Sequence, residues 1–144
     1  MVTIHLQRTI AAPPDRVFDW LADPAGLATI PLVRRAEWAP DSAPPGVGAV
    51  RVVTGYGIWF HEKITAYDAP NSYSYLIIGS FPAFDHQGGT LTFTPDGEGT
   101  HVDWNTSYSH PLRGGGKAME AVTHPLLSWS FGQILDNCAR ALER

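Results

Sequence analysis

The stretch Gly55–Ile78, GYGIWFHEKITAYDAPNSYSYLII, decides how the rest of the chain is read. Side chains of a strand change face at every residue. Ile58, Phe60, Glu62 and Ile64 therefore share one face, and Trp59, His61, Lys63 and Thr65 share the other. The first set is apolar in all but one member, so that face is expected to be buried. Asp68, Pro70, Asn71 and Ser72 are residues that close a hairpin, and Tyr73, Tyr75 and Ile77 continue the inner face on the returning strand. Glu62 is the misfit. A carboxylate on a buried face is costly unless it is paired, protonated or turned toward a wet cavity, which makes Glu62 the leading candidate for a functional group.

Upstream, Val2–Ala11 alternates and is expected to open the fold as a strand, ending at Ala12-Pro13-Pro14-Asp15. Proline in a first helical turn and an acid beside it suit a helix start. Val17, Phe18 and Leu21 follow at helical spacing until Asp23-Pro24 stops the run. A second short helix is expected from Ala25 to about Ile30. Strands are then expected at Val33–Trp38, Ala49–Thr54, Gly57–Tyr67, Tyr73–Ile78, Phe84–Thr94 and Thr100–Tyr108. The short, Gly- and Pro-bearing turns between them imply an antiparallel meander. Counting through a turn at Gly55-Tyr56 sets Arg51 near Trp59 and Phe60, beside Glu62 rather than opposite it.

Beyond His110-Pro111 the glycines 114–116 read as a flexible lead into one long amphipathic helix. Its apolar residues, from Met119 to Leu142, recur at steps of three or four. Pro125 predicts a kink or division, with the first half standing away from the sheet.

A chain of 144 residues with 44% hydrophobic and 17% charged residues can build a core, and one domain spanning 1–144 is expected. Ten Lys and Arg, scattered in a chain of net charge -4, argue against nucleic-acid binding. Cys138 stands alone and excludes an internal disulfide. Neither a membrane-spanning run nor a signal-peptide pattern is present, so a cytoplasmic protein without membrane insertion is expected. No metalloprotease, nucleophile-elbow or phosphate-loop motif occurs. His61 and Glu62 face opposite ways, and His101 and Asp103 share the solvent side, so neither a metal nor another cofactor is expected.

Three segments carry a family likeness: Ile10–Asp23 (IAAPPDRVFDWLAD), Glu62–Pro70 (EKITAYDAP) and Gly99–Trp104 (GTHVDW). With the order of elements, the chain resembles the helix-grip fold of the START-like (SRPBCC) superfamily, within it the polyketide cyclase/dehydratase and lipid-transport group. The resemblance implies an α+β fold in which a curved antiparallel seven-stranded sheet wraps around a long C-terminal helix. Two short helices lie between strands 1 and 2, and a cavity lies between sheet and helix. Thr29-Ile30-Pro31 stands where that group often carries Trp-Pro, so no ligand contact is assigned to Ile30.

In such a fold the loops Thr54–Gly57, Gly79–Asp85 and His110–Gly116 share one edge and frame a mouth, with Tyr56 and Phe81 at its rim. Ile58, Phe60, Tyr73, Phe93 and Trp104 are expected to line the interior from the sheet, and Met119, Val122 and Leu126 from the helix. A mostly apolar wall with a few polar groups is the usual make-up of a small-molecule pocket, although a dry core would use the same residue types. Two readings follow. In one, the domain only binds a hydrophobic small molecule such as a lipid, an aromatic metabolite or a polyketide intermediate. In the other, which the resemblance implies, it cyclises or dehydrates such a compound. Glu62 then takes a proton alpha to a carbonyl, and the hydroxyl of Tyr75 or Tyr108 steadies the enolate. A protein-interaction domain without a ligand is a third reading, and a homodimer is left open.

Overall fold

Alternation along the strands and the helical stripe at the C-terminus produce the architecture that the sequence implies. The computed structural model describes residues 1–143. Strand β1 (Val2–Ile10) is followed by helices α1 (Pro14–Ala22) and α2 (Pro24–Leu27). Strands β2 (Val33–Trp38), β3 (Val50–Gly55), β4 (Trp59–Asp68), β5 (Ser72–Phe81), β6 (Asp85–Asp96) and β7 (Gly99–Ser109) come next. A 3-10 turn at Leu112–Gly114 then leads into α3 (Gly116–Leu142). The seven strands form one antiparallel sheet in the order β1-β7-β6-β5-β4-β3-β2, curled over α3. This is the helix-grip fold.

The inner face is apolar because the strands keep their period of two. Along β7, Thr100, Val102, Trp104, Thr106 and Tyr108 are all buried, and their neighbours are not. Phe18 of α1 has no exposed surface and packs edge-on to Tyr67, Tyr73 and Phe93 at 5.2, 5.6 and 5.2 Å, which closes the end of the sheet away from the expected mouth. Helix α3 buries Thr123, Leu127, Ser130, Ile134, Leu135, Cys138 and Ala139, and an ion pair between Arg8 and Asp136 ties its second half to β1. Burial pushes the Cys138 thiol up to about 12, so it packs as a small apolar group. Among the described residues no helix is long and apolar enough to cross a membrane.

Three local expectations are corrected. The second helix is shorter than its pattern suggests, Pro24–Leu27, and is capped by Asp23, whose carboxylate accepts the N–H of Ala25 at 2.9 Å. Helix α3 is not divided at Pro125. The carbonyl that loses its N–H partner is that of Ala121, and both residues are exposed to water. The glycine run is required by geometry: Gly115 and Gly116 have φ of 101° and 56°, which turn the chain into α3. The β3–β4 turn is centred one residue later than expected, on Tyr56-Gly57, with the N–H of Gly55 donating to the carbonyl of Ile58 at 2.7 Å. That shift puts Arg51 directly opposite Glu62.

Three bulges change which residues face inward. An extra residue reverses the alternation beyond it. One at Thr65 turns Tyr67 toward Phe18, and one at Ile78 sends Phe81 outward opposite Trp59. The third, between His86 and Gly88, turns His86 to the inside.

Candidate functional site

The site is built on the end of α1. The Leu21 and Ala22 carbonyls there have no further helical turn to bond them, and the last turn of α1 has no basic residue. Arg51 of β3 supplies one from across the fold, its Nη1 donating to the two carbonyls at 3.2 and 3.4 Å. The Tyr73 hydroxyl also donates to the Leu21 carbonyl, at 3.0 Å. The guanidinium lies 5.6 and 5.9 Å from the ring centres of Tyr73 and Tyr75, and its Nη2 is 3.4 Å from Oε1 of Glu62. Burial works against the Arg51 charge, but Glu62 and Tyr73 outweigh it and hold the guanidinium protonated. Arg51 Nε is the one buried side-chain polar atom without a partner among the described residues. Within the pair Glu62 is the more open member, its side chain 11% exposed against 3% for Arg51.

Glu62 faces two adjoining hollows. The larger, about 70 Å³, lies between the sheet and α3. At ~10–15 Å³ for each water position, that is room for about five waters or one aromatic ring. Of the residues expected in the wall, Ile58, Phe60, Glu62, Tyr73, Trp104 and Leu126 line it. The smaller, about 30 Å³, is lined by Tyr75, Tyr108, His86 and Thr106 and shares Phe60, Glu62, Leu127 and Phe131 with the first.

The remaining expected residues lie elsewhere. Phe93 is packed between Phe18 and Tyr73 in the closed core. Met119 sits against Gly115 at the start of α3, and Val122 lies on that helix's exposed side, 59% accessible. Tyr56 and Phe81 are exposed and line neither hollow, the Tyr56 ring lying under Arg34 at 5.4 Å. The lining that sequence reasoning missed comes from the other side of the hollow. Leu21 and Leu27 of the short helices, Ile30 and Leu32 after them, Val53 of β3, and Ser130 and Ile134 of α3 all contribute.

Hydrogen bonds distinguish the two candidate tyrosines. His110 Nδ1 donates to the Ala83 carbonyl at 2.7 Å, so its Nε2 accepts from Thr123 at 3.0 Å. Thr123 must then accept from the Tyr108 hydroxyl at 2.9 Å, which commits the Tyr108 proton to this chain. Tyr75 instead accepts from Trp104 Nε1 at 3.0 Å and keeps its own proton to donate. Burial and, for Tyr75, the nearby Glu62 raise the pKa of both phenols, so both remain neutral donors or acceptors. Trp104 is also stacked on Phe131, ring centres 4.5 Å apart.

His86 fills a gap in the sheet. The β5–β6 ladder stops at Tyr75 and Gly89, and beyond it the N–H of Ile77 donates to His86 Nδ1 at 2.9 Å instead of to a backbone carbonyl. Nε2 therefore carries the proton and donates to Thr106 at 2.8 Å. Burial lowers the His86 pKa to about 4. An unfolded histidine binds its proton near pH 6.5, so between about pH 6.5 and 4 the unfolded state holds more protons. The His86 contribution is then complete above that window and lost as pH falls through it. Discounted for the ring's partial exposure, the loss is about 2 kcal/mol. In denaturant titrations at pH 7.5 and 4.5, His86→Gln should reduce the acid-induced drop in stability by about that amount. An unchanged drop would mean that His86 does not titrate in this way.

The fold is shared with solved proteins of low sequence identity. TTHA0849 from Thermus thermophilus is 21% identical with a TM-score of 0.75, over 96% of this chain and 95% of that one. Aha1 from Colwellia psychrerythraea, whose solution structure is of a dimer, is 18% identical with a TM-score of 0.67, over 99% and 97%. Ara h 8.0201 is 17% identical with a TM-score of 0.63, over 94% and 98%. No curated protein matches the chain. The family model for polyketide cyclase/dehydrase and lipid transport matches residues 1–143, and the chain belongs to that family.

Proposed function

We propose that this protein binds a hydrophobic small molecule in the hollow between the sheet and α3. The observation that carries the reading is a partly open apolar hollow, walled by Ile58, Phe60, Trp104 and Ile134, with one carboxylate, Glu62, opening into it. Family membership supports it. The hollow takes about one ring at rest, so a lipid or polyketide-sized guest needs it to widen.

Trp104 lines the hollow and provides the readout. Titrating the protein with a panel of lipids and polyphenols should give a saturable change in tryptophan emission that is lost in Trp104→Phe. A flat response across the panel would argue for a closed core.

A second reading, catalysis by proton transfer, is favoured by one arrangement: Glu62 and Tyr75 face the same small hollow, and the Tyr75 proton is free to steady an oxyanion. Glu62 would act as base and Tyr75 as donor. On the bonds drawn, Tyr108 is the weaker donor because its proton is already committed.

A further inference from the structure

The polar end of the hollow limits the chemistry of its guest, an inference that rests on the binding role proposed above. Three observations bear on it. The Arg51–Glu62 pair is neutral as a unit, and its carboxylate is the more open member. The guanidinium is already committed to two helix carbonyls and faces two tyrosine rings. Arg51 Nε lacks an acceptor but is sealed off, so the Glu62 carboxylate is the charged group of the pair that a guest can reach. At 3.4 Å the Nη2–Oε1 contact is longer than a charge-assisted hydrogen bond of ~2.7–2.9 Å, so Glu62 retains accepting capacity.

We propose that the hollow selects a neutral hydrophobic molecule bearing a hydroxyl, an alcohol or a phenol, whose O–H donates to Glu62. A hydroxyl supplies that donor without carrying a charge. A carboxylate can only accept, and it would bring a second negative charge beside Glu62 with no free cation to balance it. A plain hydrocarbon would leave Glu62 unmatched. The protein would thus discriminate against free fatty acids and aromatic acids of the same shape, and favour alcohols or phenols.

The test uses three ligands matched in size to the hollow: 4-propylphenol, 4-propylbenzoate and propylbenzene, each titrated calorimetrically into the full chain at neutral pH. A hydrogen bond to a buried charged group predicts that the phenol binds about tenfold or more tighter than either of the others. The Arg51→Met/Glu62→Gln double variant removes both charges together, and there the ratio of phenol to hydrocarbon affinity should fall to near unity. If the hydrocarbon or the benzoate binds the native protein as tightly as the phenol, the inference is overturned and the binding role stands. If none of the three binds, the binding role falls and takes the inference with it.

Discussion

Replacing Arg51 by Met while leaving Glu62 in place should destabilise the protein by about 3–5 kcal/mol, the usual consequence of stranding one member of a buried ion pair. Here the loss is compounded, because the same guanidinium caps the carbonyls of Leu21 and Ala22 at the end of α1. Glu62→Gln should fall at the lower end of that range, since the cation it strands still has the helix carbonyls and the faces of Tyr73 and Tyr75. The double variant should be less destabilised than the sum of the two by about 2 kcal/mol, because neither charge is then stranded. Urea denaturation of the three variants measures this directly. Strictly additive effects would mean that the pair is not coupled and that Glu62 answers to water rather than to Arg51.

Gly89→Ala should cost about 2–3 kcal/mol although it adds a single methyl group. A Cβ at this position would lie 2.3 Å from Cζ of Tyr75 and 2.5 Å from its Oη, because the ring lies flat across the glycine on the neighbouring strand. Tyr75 cannot yield freely. It is stacked on His86 at 5.5 Å and accepts the indole N–H of Trp104. Any displacement therefore reaches the hollow through Trp104, and a change in tryptophan emission should accompany the loss of stability. Combining Gly89→Ala with Tyr75→Val should recover part of the cost, since the obstructing ring is gone. A fully stable Gly89→Ala protein with native emission would refute this packing.

The order of elements was legible because burial imposes its period on the chain. Val102, Trp104, Thr106 and Tyr108 alternate without interruption, and α3 keeps its stripe from Leu127 to Leu142. What failed was counting across irregularities. A turn centred on Tyr56-Gly57 instead of one residue earlier changed Arg51 from a neighbour of Glu62 into its cross-strand partner. The bulge between His86 and Gly88 reverses the parity of β6 and turns inward a histidine for which no role was read in the sequence. Bulges leave little local trace beyond a glycine. The misfit of Glu62 was visible because a charged residue interrupting an apolar face needs no register to be noticed. Residues after the first strand were legible as helix, but nothing in their local pattern shows that Leu21, Leu27 and Ile30 wall the hollow. Their role follows from tertiary packing that no single segment encodes.

A crystal structure of the protein grown with 4-propylphenol tests the hollow most directly. The account predicts the ring enclosed between Phe60, Trp104 and Ile134, with its oxygen within hydrogen-bonding reach of Glu62. Leu126 and Phe131 closed over a filled interior, with the compound bound only outside, would contradict it.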